Sequence, residues 1–300
     1  MYYINIYIYI YFLFSGCVVG CGFEGISGNG KRAALMGMTS TIGGFGRFGN
    51  HAIRNLCLSE VARKNNLKVK YSCQKEFDQL GIELFSGEKS YQSFVTLDDD
   101  TFYDYISGVK ILDCNIDINA SYLQRPNYAL FIWDLLHSVD VSDCIKKCNP
   151  YKNRYNNNND VYVHLRLGDI PHLVPNYQYF STTLTAISFN QGYISTEDLH
   201  HPFCQRLMKE FNLEPLTMEE ISTIQFASTC KNIILSNGSF SWLIGLLGFF
   251  SEVYYPEIRE VWHGDIFVFP QWKEVFRPDH EINPLHQSEV RPSKGVVSAD

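Results

Sequence analysis

Apolar and polar positions follow two rhythms along this chain, one of period two and one near 3.6, and their succession predicts a series of strands and helices. Residues 36–42 read as a short strand, and Gly43-Gly44-Phe45-Gly46-Arg47-Phe48-Gly49-Asn50 is a glycine-rich turn. Beyond it Ile53, Leu56, Cys57 and Val61 recur at three- and four-residue spacing, with Arg54, Asn55, Arg63 and Lys64 on the opposite face of an amphipathic helix. Residues 67–71 read as the next strand. Strand, turn, helix and strand open an α/β domain with a parallel sheet.

Further along, residues 161–165, 193–196, 233–235 and 253–255 are β-branched or aromatic runs, separated by helical spacing at 203–211 and 218–227. Between the halves, residues 151–160 are polar and contain four consecutive asparagines, 156–159. That composition buries little apolar area and reads as a linker or exposed loop. The expected organisation is an N-terminal α/β domain at 36–155, a C-terminal one at 160–280, and a tail at 281–300. The fold class is α/β, two Rossmann-like domains facing across a cleft, an architecture that takes nucleotides at the carboxyl ends of its strands.

Length and composition agree with this: 300 residues, 45% hydrophobic, suffice for two medium domains. The net charge of −7, with Lys and Arg scattered, leaves no basic surface for a run of phosphates and excludes nucleic acid as a partner. Nine cysteines lack the paired C-x-x-C spacing of a zinc site, so no structural metal is expected. Their odd number fits a secreted domain with a few disulfides and a reduced chain equally. Residues 1–22 carry no charge and approach the roughly 20 residues that span a bilayer. Three readings stay open for them: a signal-anchor, a cleaved signal peptide ending near Gly20, Cys21 and Gly22, or a strand read from a misplaced start. Two Asn-x-Ser triplets, at Asn119 and Asn237, add little to a secretory case.

Three clusters carry candidate chemistry. In Val161-Tyr162-Val163-His164-Leu165-Arg166-Leu167-Gly168-Asp169, His164 and Arg166 share one face of a strand, and arginine's planar fork suits a diphosphate. The bland alternative is an ion pair of Arg166 with Asp169 and a core hydrogen bond for His164. In Ser236-Asn237-Gly238-Ser239-Phe240-Ser241-Trp242, a strand enters a small-residue turn and then a helix, which offers backbone N–H groups to an anion. Ordinary N-capping by Ser239 or Ser241 would explain the same serines. In the glycine turn, Gly44-x-Gly46-x-x-Gly49 matches the dinucleotide spacing, but no acidic residue closes a strand about 20 positions later, which argues against a hydride-transfer enzyme. A plain tight turn with a solvated Arg47 is the bland reading there. Asp98-Asp99-Asp100 is the one acidic cluster that could hold a metal, and its flanking residues favour a turn cap.

Taken in order, Gly46-Arg47-Phe48-Gly49-Asn50, His164-x-Arg166-x-Gly168-Asp169 and Ser236-Asn237-Gly238-Ser239-Phe240-Ser241-Trp242 resemble the motifs of the α-1,2-fucosyltransferases, glycosyltransferase family 11. The first is also similar to that of protein O-fucosyltransferases, and weaker likeness extends to Tyr122-Leu123-Gln124 and Ile194-Ser195-Thr196-Glu197-Asp198. The resemblance implies a GT-B-like, metal-independent, inverting enzyme moving fucose from GDP-fucose to a glycan hydroxyl, with terminal galactose as acceptor. It implies that Arg166 grips the β-phosphate with His164 beside it, and that Asn237, Ser239, Phe240 and Ser241 line the diphosphate. Glu197 and Asp198 would meet guanine or ribose, Arg47, Gly49 and Asn50 would close over the sugar, and Asp169 is a candidate base. It further implies a single-pass Golgi membrane protein with a lumenal catalytic domain, or a secreted one if the N-terminal segment is cleaved. The chain departs from the family at Leu167, where a second arginine is usual, and at His51, where glutamine is. Two alternatives follow: an inactive carbohydrate-binding relative, and a metal-dependent GT-A-type transferase using Asp98 and Asp100.

Overall fold

The computed structural model describes residues 40–41, 46–118, 122–168, 174–257 and 264–275. The apolar segment 1–22, Gly44, Asn119, Asp169 and the tail 281–300 lie outside the described residues. In the first half, β1 (Ser40–Thr41), α1 (Phe48–Asn65), β2 (Val69–Lys70), α2 (Gln74–Leu80), β3 (Phe94–Thr96), α3 (Phe102–Ile106) and β4 (Asn115–Asp117) are followed by α4 (Pro126–His137) and α5 (Val139–Cys148). Their strands make a parallel sheet in the order β2-β1-β4-β3.

In the second half come β5 (Val161–Leu165), α6 (Tyr177–Ala186), β6 (Gly192–Thr196), α7 (Pro202–Phe211), β7 (Leu213–Pro215), α8 (Glu220–Ala227), β8 (Asn232–Ile234), α9 (Ser239–Leu246), β9 (Glu252–Pro256) and β10 (Lys273–Val275). The sheet is parallel throughout, in the order β10-β9-β8-β5-β6-β7. This is the doubly wound order, and the chain reverses its direction of travel across the sheet between β5 and β8. The expected α/β class with two parallel, Rossmann-like sheets is therefore what the chain forms.

Alternation along β5 distributes its side chains between two cores. Val161, Val163 and Leu165 join Phe180, Ile194 and Leu207 on one face, while Tyr162 joins a larger core on the other. That larger core is continuous through both halves, from Phe48 and Leu56 of α1 and Tyr128 of α4 to Ile233 of β8 and Trp242 of α9. The segment 264–275 returns to cover α4: the Trp133 ring lies 4.5 Å from Phe269 and stacks on His137 at 3.6 Å.

Three expectations are corrected here. First, α1 has no fully polar outer face, since Arg54 and Asn55 are both 0% exposed. The reason is that α1 packs against α3, α4 and α9 at once, so its middle is covered on every side and its exposed residues, Arg63 and Lys64, lie at the far end. Buried Asn55 donates to the Ser72 carbonyl at 2.8 Å, and the Arg54 guanidinium stands 5.8 Å from the Tyr122 ring.

Second, of the two readings of the asparagine run the exposed loop holds, with Asn156 and Asn157 exposed, while the free linker does not, because the loop is hydrogen-bonded to its surroundings. Asn158 Nδ2 donates to the carbonyls of Arg154 and Thr229 at 2.6 and 2.9 Å, and its Oδ1 accepts from Lys231 N–H at 3.2 Å, which pins the turn beside β8. Third, the single-pass Golgi membrane placement is overturned. Among the described residues no helix is long and apolar enough to cross a membrane, and the longest, α1, carries Arg54, Arg63 and Lys64.

Candidate active site

Arg166 and Leu167 leave the end of β5, and Ser236 to Gly238 leave the neighbouring β8, so both segments meet where the second sheet reverses its strand order. Gly238 has φ +105, and a Cβ there would lie 2.2 Å from Arg166 Nη1. Only glycine lets the guanidinium rest on the backbone at the start of α9. Gly238 is also the N-cap residue, with no side-chain cap bond, so neither serine caps the helix. Ser239 Oγ donates instead to Asn50 Oδ1 at 2.5 Å, while Ser241 Oγ accepts from Ser236 N–H and pairs with His164 Nδ1, both at 2.8 Å.

His164 is buried, 6% exposed, and lies 5.3 Å from the Phe240 ring. Burial pulls its pKa from 6.5 to about 4; Glu197 opposes that shift, while Arg166 and Arg47 reinforce it. The lowered pKa leaves the ring neutral near pH 7, with Nδ1 tied to Ser241 Oγ, which also accepts from Ser236 N–H.

The first sheet delivers its contribution to the same place. Arg47 is the N-cap residue of α1, and Asn50 lies in the first turn. Asn50 Oδ1 accepts from Gln124 Nε2 at 2.7 Å as well as from Ser239. At Gly49 a Cβ would sit 2.5 Å from both the Ser239 carbonyl carbon and the Phe240 nitrogen, so the starts of α1 and α9 abut backbone to backbone. Neither first turn contains an acidic residue, so nothing there cancels the positive ends of the two helix dipoles.

Glu197 follows β6, the strand beside β5. Its Oε1 accepts from Arg47 Nη1 at 2.8 Å and its Oε2 from Leu167 N–H at 3.0 Å. Although burial raises its pKa, the Leu167 amide, Arg47 and His164 together bring it below the ordinary 4.5. Asp198 turns to its own loop, where its Oδ1 accepts from His200 N–H at 2.9 Å. Asn237 is half-buried in the turn after β8. Gln124 and Gly238 stand inside motifs of the sequence that assign neither of them a role, and a glycine between a strand exit and two serines is the readable signal for the second.

The acidic triplet is occupied by the fold. Asp98 Oδ1 accepts from Thr101 Oγ1 at 2.7 Å and from Thr101 N–H at 2.9 Å, Asp99 Oδ1 accepts from Leu123 N–H at 2.9 Å, and Asp100 pairs with Arg125. Among the described residues no group of three or more His, Cys, Asp or Glu side chains could hold a metal ion. The cysteines at 57, 73, 114, 144, 148, 204 and 230 are free thiols.

No protein-family model matches this chain, and no curated protein does. Among solved structures it is similar to a GDP complex of a FUT1 mutant from Arabidopsis thaliana, with a TM-score of 0.43 and 9% identity over 72% of this chain and 70% of that one. The E. coli heptosyltransferase WaaC with ADP-2-deoxy-2-fluoro heptose gives 0.42 and 11% over 76% and 92%. POFUT1 in complex with GDP-fucose gives 0.36 and 10% over 70% and 94%. Likenesses this distant leave the function to be argued from the chain's own residues.

Proposed function

We propose that the chain is a glycosyltransferase that moves fucose from GDP-fucose to a glycan hydroxyl, with the second sheet on the donor side and the first on the acceptor side. The observation that carries this reading is the place of Arg166, at the strand-order reversal and against the Gly238 backbone. Open α/β sheets bind ligands in that crevice, arginine pairs with diphosphate through two parallel hydrogen bonds, and helix starts favour anions. The choice of guanine, fucose and an α-1,2 linkage to terminal galactose comes from the sequence motifs.

In this reaction the bond between fucose C1 and the β-phosphate oxygen breaks and its electron pair leaves with GDP, where Arg166 meets the developing charge. The acceptor oxygen bonds C1 from the opposite face, with inversion, and its proton passes to a base, for which Asp169 is the sequence candidate. Arginine charge stands in for a metal.

Calorimetric titration of the full chain with GDP, GDP-fucose and UDP in EDTA tests the reading. GDP and GDP-fucose should bind in chelator and UDP more weakly, and Arg166→Ala should lower GDP affinity at least about tenfold, as loss of hydrogen bonds to a charged group does. Binding only after manganese is added, or a preference for UDP, would overturn it. Transfer to a galactoside separates an enzyme from a binding-only relative.

A further inference from the structure

Glu197 places a carboxylate at a crevice read here as an anion site, where Coulomb's law alone would make it oppose a bound diphosphate. Both its oxygens are engaged within the protein, Oε2 by the Leu167 amide at 3.0 Å and Oε1 by Arg47 at 2.8 Å. Arg47 comes from the other sheet, at the start of α1. The pair lies directly over Gly168, where a Cβ would stand 3.2 Å from Arg47 Nη2 and from Glu197 Oε1. Its side chains are 53% and 34% exposed, so as an ion pair it adds only ~0–1 kcal/mol of stability. Direction is what it does fix. A long side chain at a turn is held over the backbone two residues beyond Arg166, and buried His164 senses Arg166, Arg47 and Glu197 together.

We propose that Glu197 is a positioning residue: aligned by the Leu167 amide, it holds Arg47 across from the first sheet so that Arg47 and Arg166 present two guanidinium groups to one diphosphate. This rests on the donor reading above. Its consequence has a sign that simple electrostatics does not share, because removing a negative charge near an anion should tighten binding, whereas releasing Arg47 should weaken it.

The experiment titrates GDP and inorganic pyrophosphate into the full chain and into Glu197→Gln, Arg47→Ala, the double variant and Arg166→Ala, with circular dichroism as a check on folding. Glu197→Gln should weaken GDP and pyrophosphate alike, by about tenfold, the scale of a lost charge-assisted hydrogen bond. In the Arg47→Ala background the same change should no longer weaken binding and should slightly improve it. Tighter binding by Glu197→Gln alone would overturn the proposal. So would weaker GDP with unchanged pyrophosphate, which would make Glu197 a contact to ribose or base. If the unaltered chain binds neither ligand, or binds them independently of Arg166, the donor reading falls and the proposal with it; if Arg166 matters and only the Glu197 result fails, the donor reading stands alone.

Discussion

Asn50 Oδ1 accepts from Ser239 Oγ at 2.5 Å, so a single amide joins the first turn of α1 to the first residue of α9. Because the same oxygen also accepts from Gln124 at 2.7 Å, Asn50→Ala leaves two donors without a partner. That should cost about 1–3 kcal/mol in a urea titration. Asn50→Asp keeps an acceptor for both donors but adds a negative charge beside the proposed diphosphate. Its urea midpoint should stay near that of the parent while GDP affinity falls; a parallel loss of both would reduce Asn50 to a structural tie.

Gly238→Ala should be more harmful to ligand binding than to folding. The backbone at φ +105 costs an alanine roughly 1–3 kcal/mol, and its methyl would also displace Arg166. Gly108 supplies the control, since it too has positive φ, +81, but a Cβ there would meet nothing within 4 Å. Equal effects of the two alanine variants on GDP affinity would show that Arg166 tolerates displacement.

Gly49→Ala forces apart the starts of α1 and α9, where a Cβ would lie 2.5 Å from backbone atoms that cannot rotate away. Overpacking of this kind costs about 1–3 kcal/mol, so the urea midpoint should fall with little change in slope. An unchanged midpoint would mean that the two helices slide freely.

Stability should decline as pH drops from about 6.5 towards 4. His164 is held at about 4, and His51 and His137 also lie below 6.5, each chiefly through burial. In that window the unfolded chain binds more protons than the folded one, so acidification favours unfolding. Urea midpoints at pH 7, 6 and 5 should fall in turn, and His164→Gln should flatten the trend. Glu197, whose pKa is lowered, loses its contribution only as pH falls below 4.5, under the lowest of these three values. Identical slopes in parent and variant would mean that His164 titrates normally.

How far the sequence anticipates this depends on what each residue answers to. Residues 161–165 were readable as a strand because a parallel strand covered on both faces must be apolar throughout, and β5 occupies those same residues. The glycine turn and the small-residue turn were readable because backbone geometry there demands small residues. Arg54 and Asn55 were misread because the surface that buries them, α4 and α9, is assembled from distant chain. Local spacing places a charged residue outward by default. The Arg47–Glu197 pair joins residues 150 positions apart, which no periodicity encodes. For Ser239 and Ser241 capping stays open in the sequence, since that is what a serine at a helix start usually does, and only Asn50 of α1 and His164 of β5, distant in the chain, show where their hydroxyls go.

The contact of Trp133 with Phe269 bears on how the chain is made. A ribosome releases α4 well before it completes the segment that covers it, and at about 5–20 residues per second that interval is on the order of ten seconds. During it Trp133 lacks the rings of Phe269 and Trp272 and is packed against His137 alone of its ring partners. Folding of the first half is therefore completed by the last part of the described chain to be synthesised, and a ribosome stalled before that point would display an aromatic surface that chaperones bind.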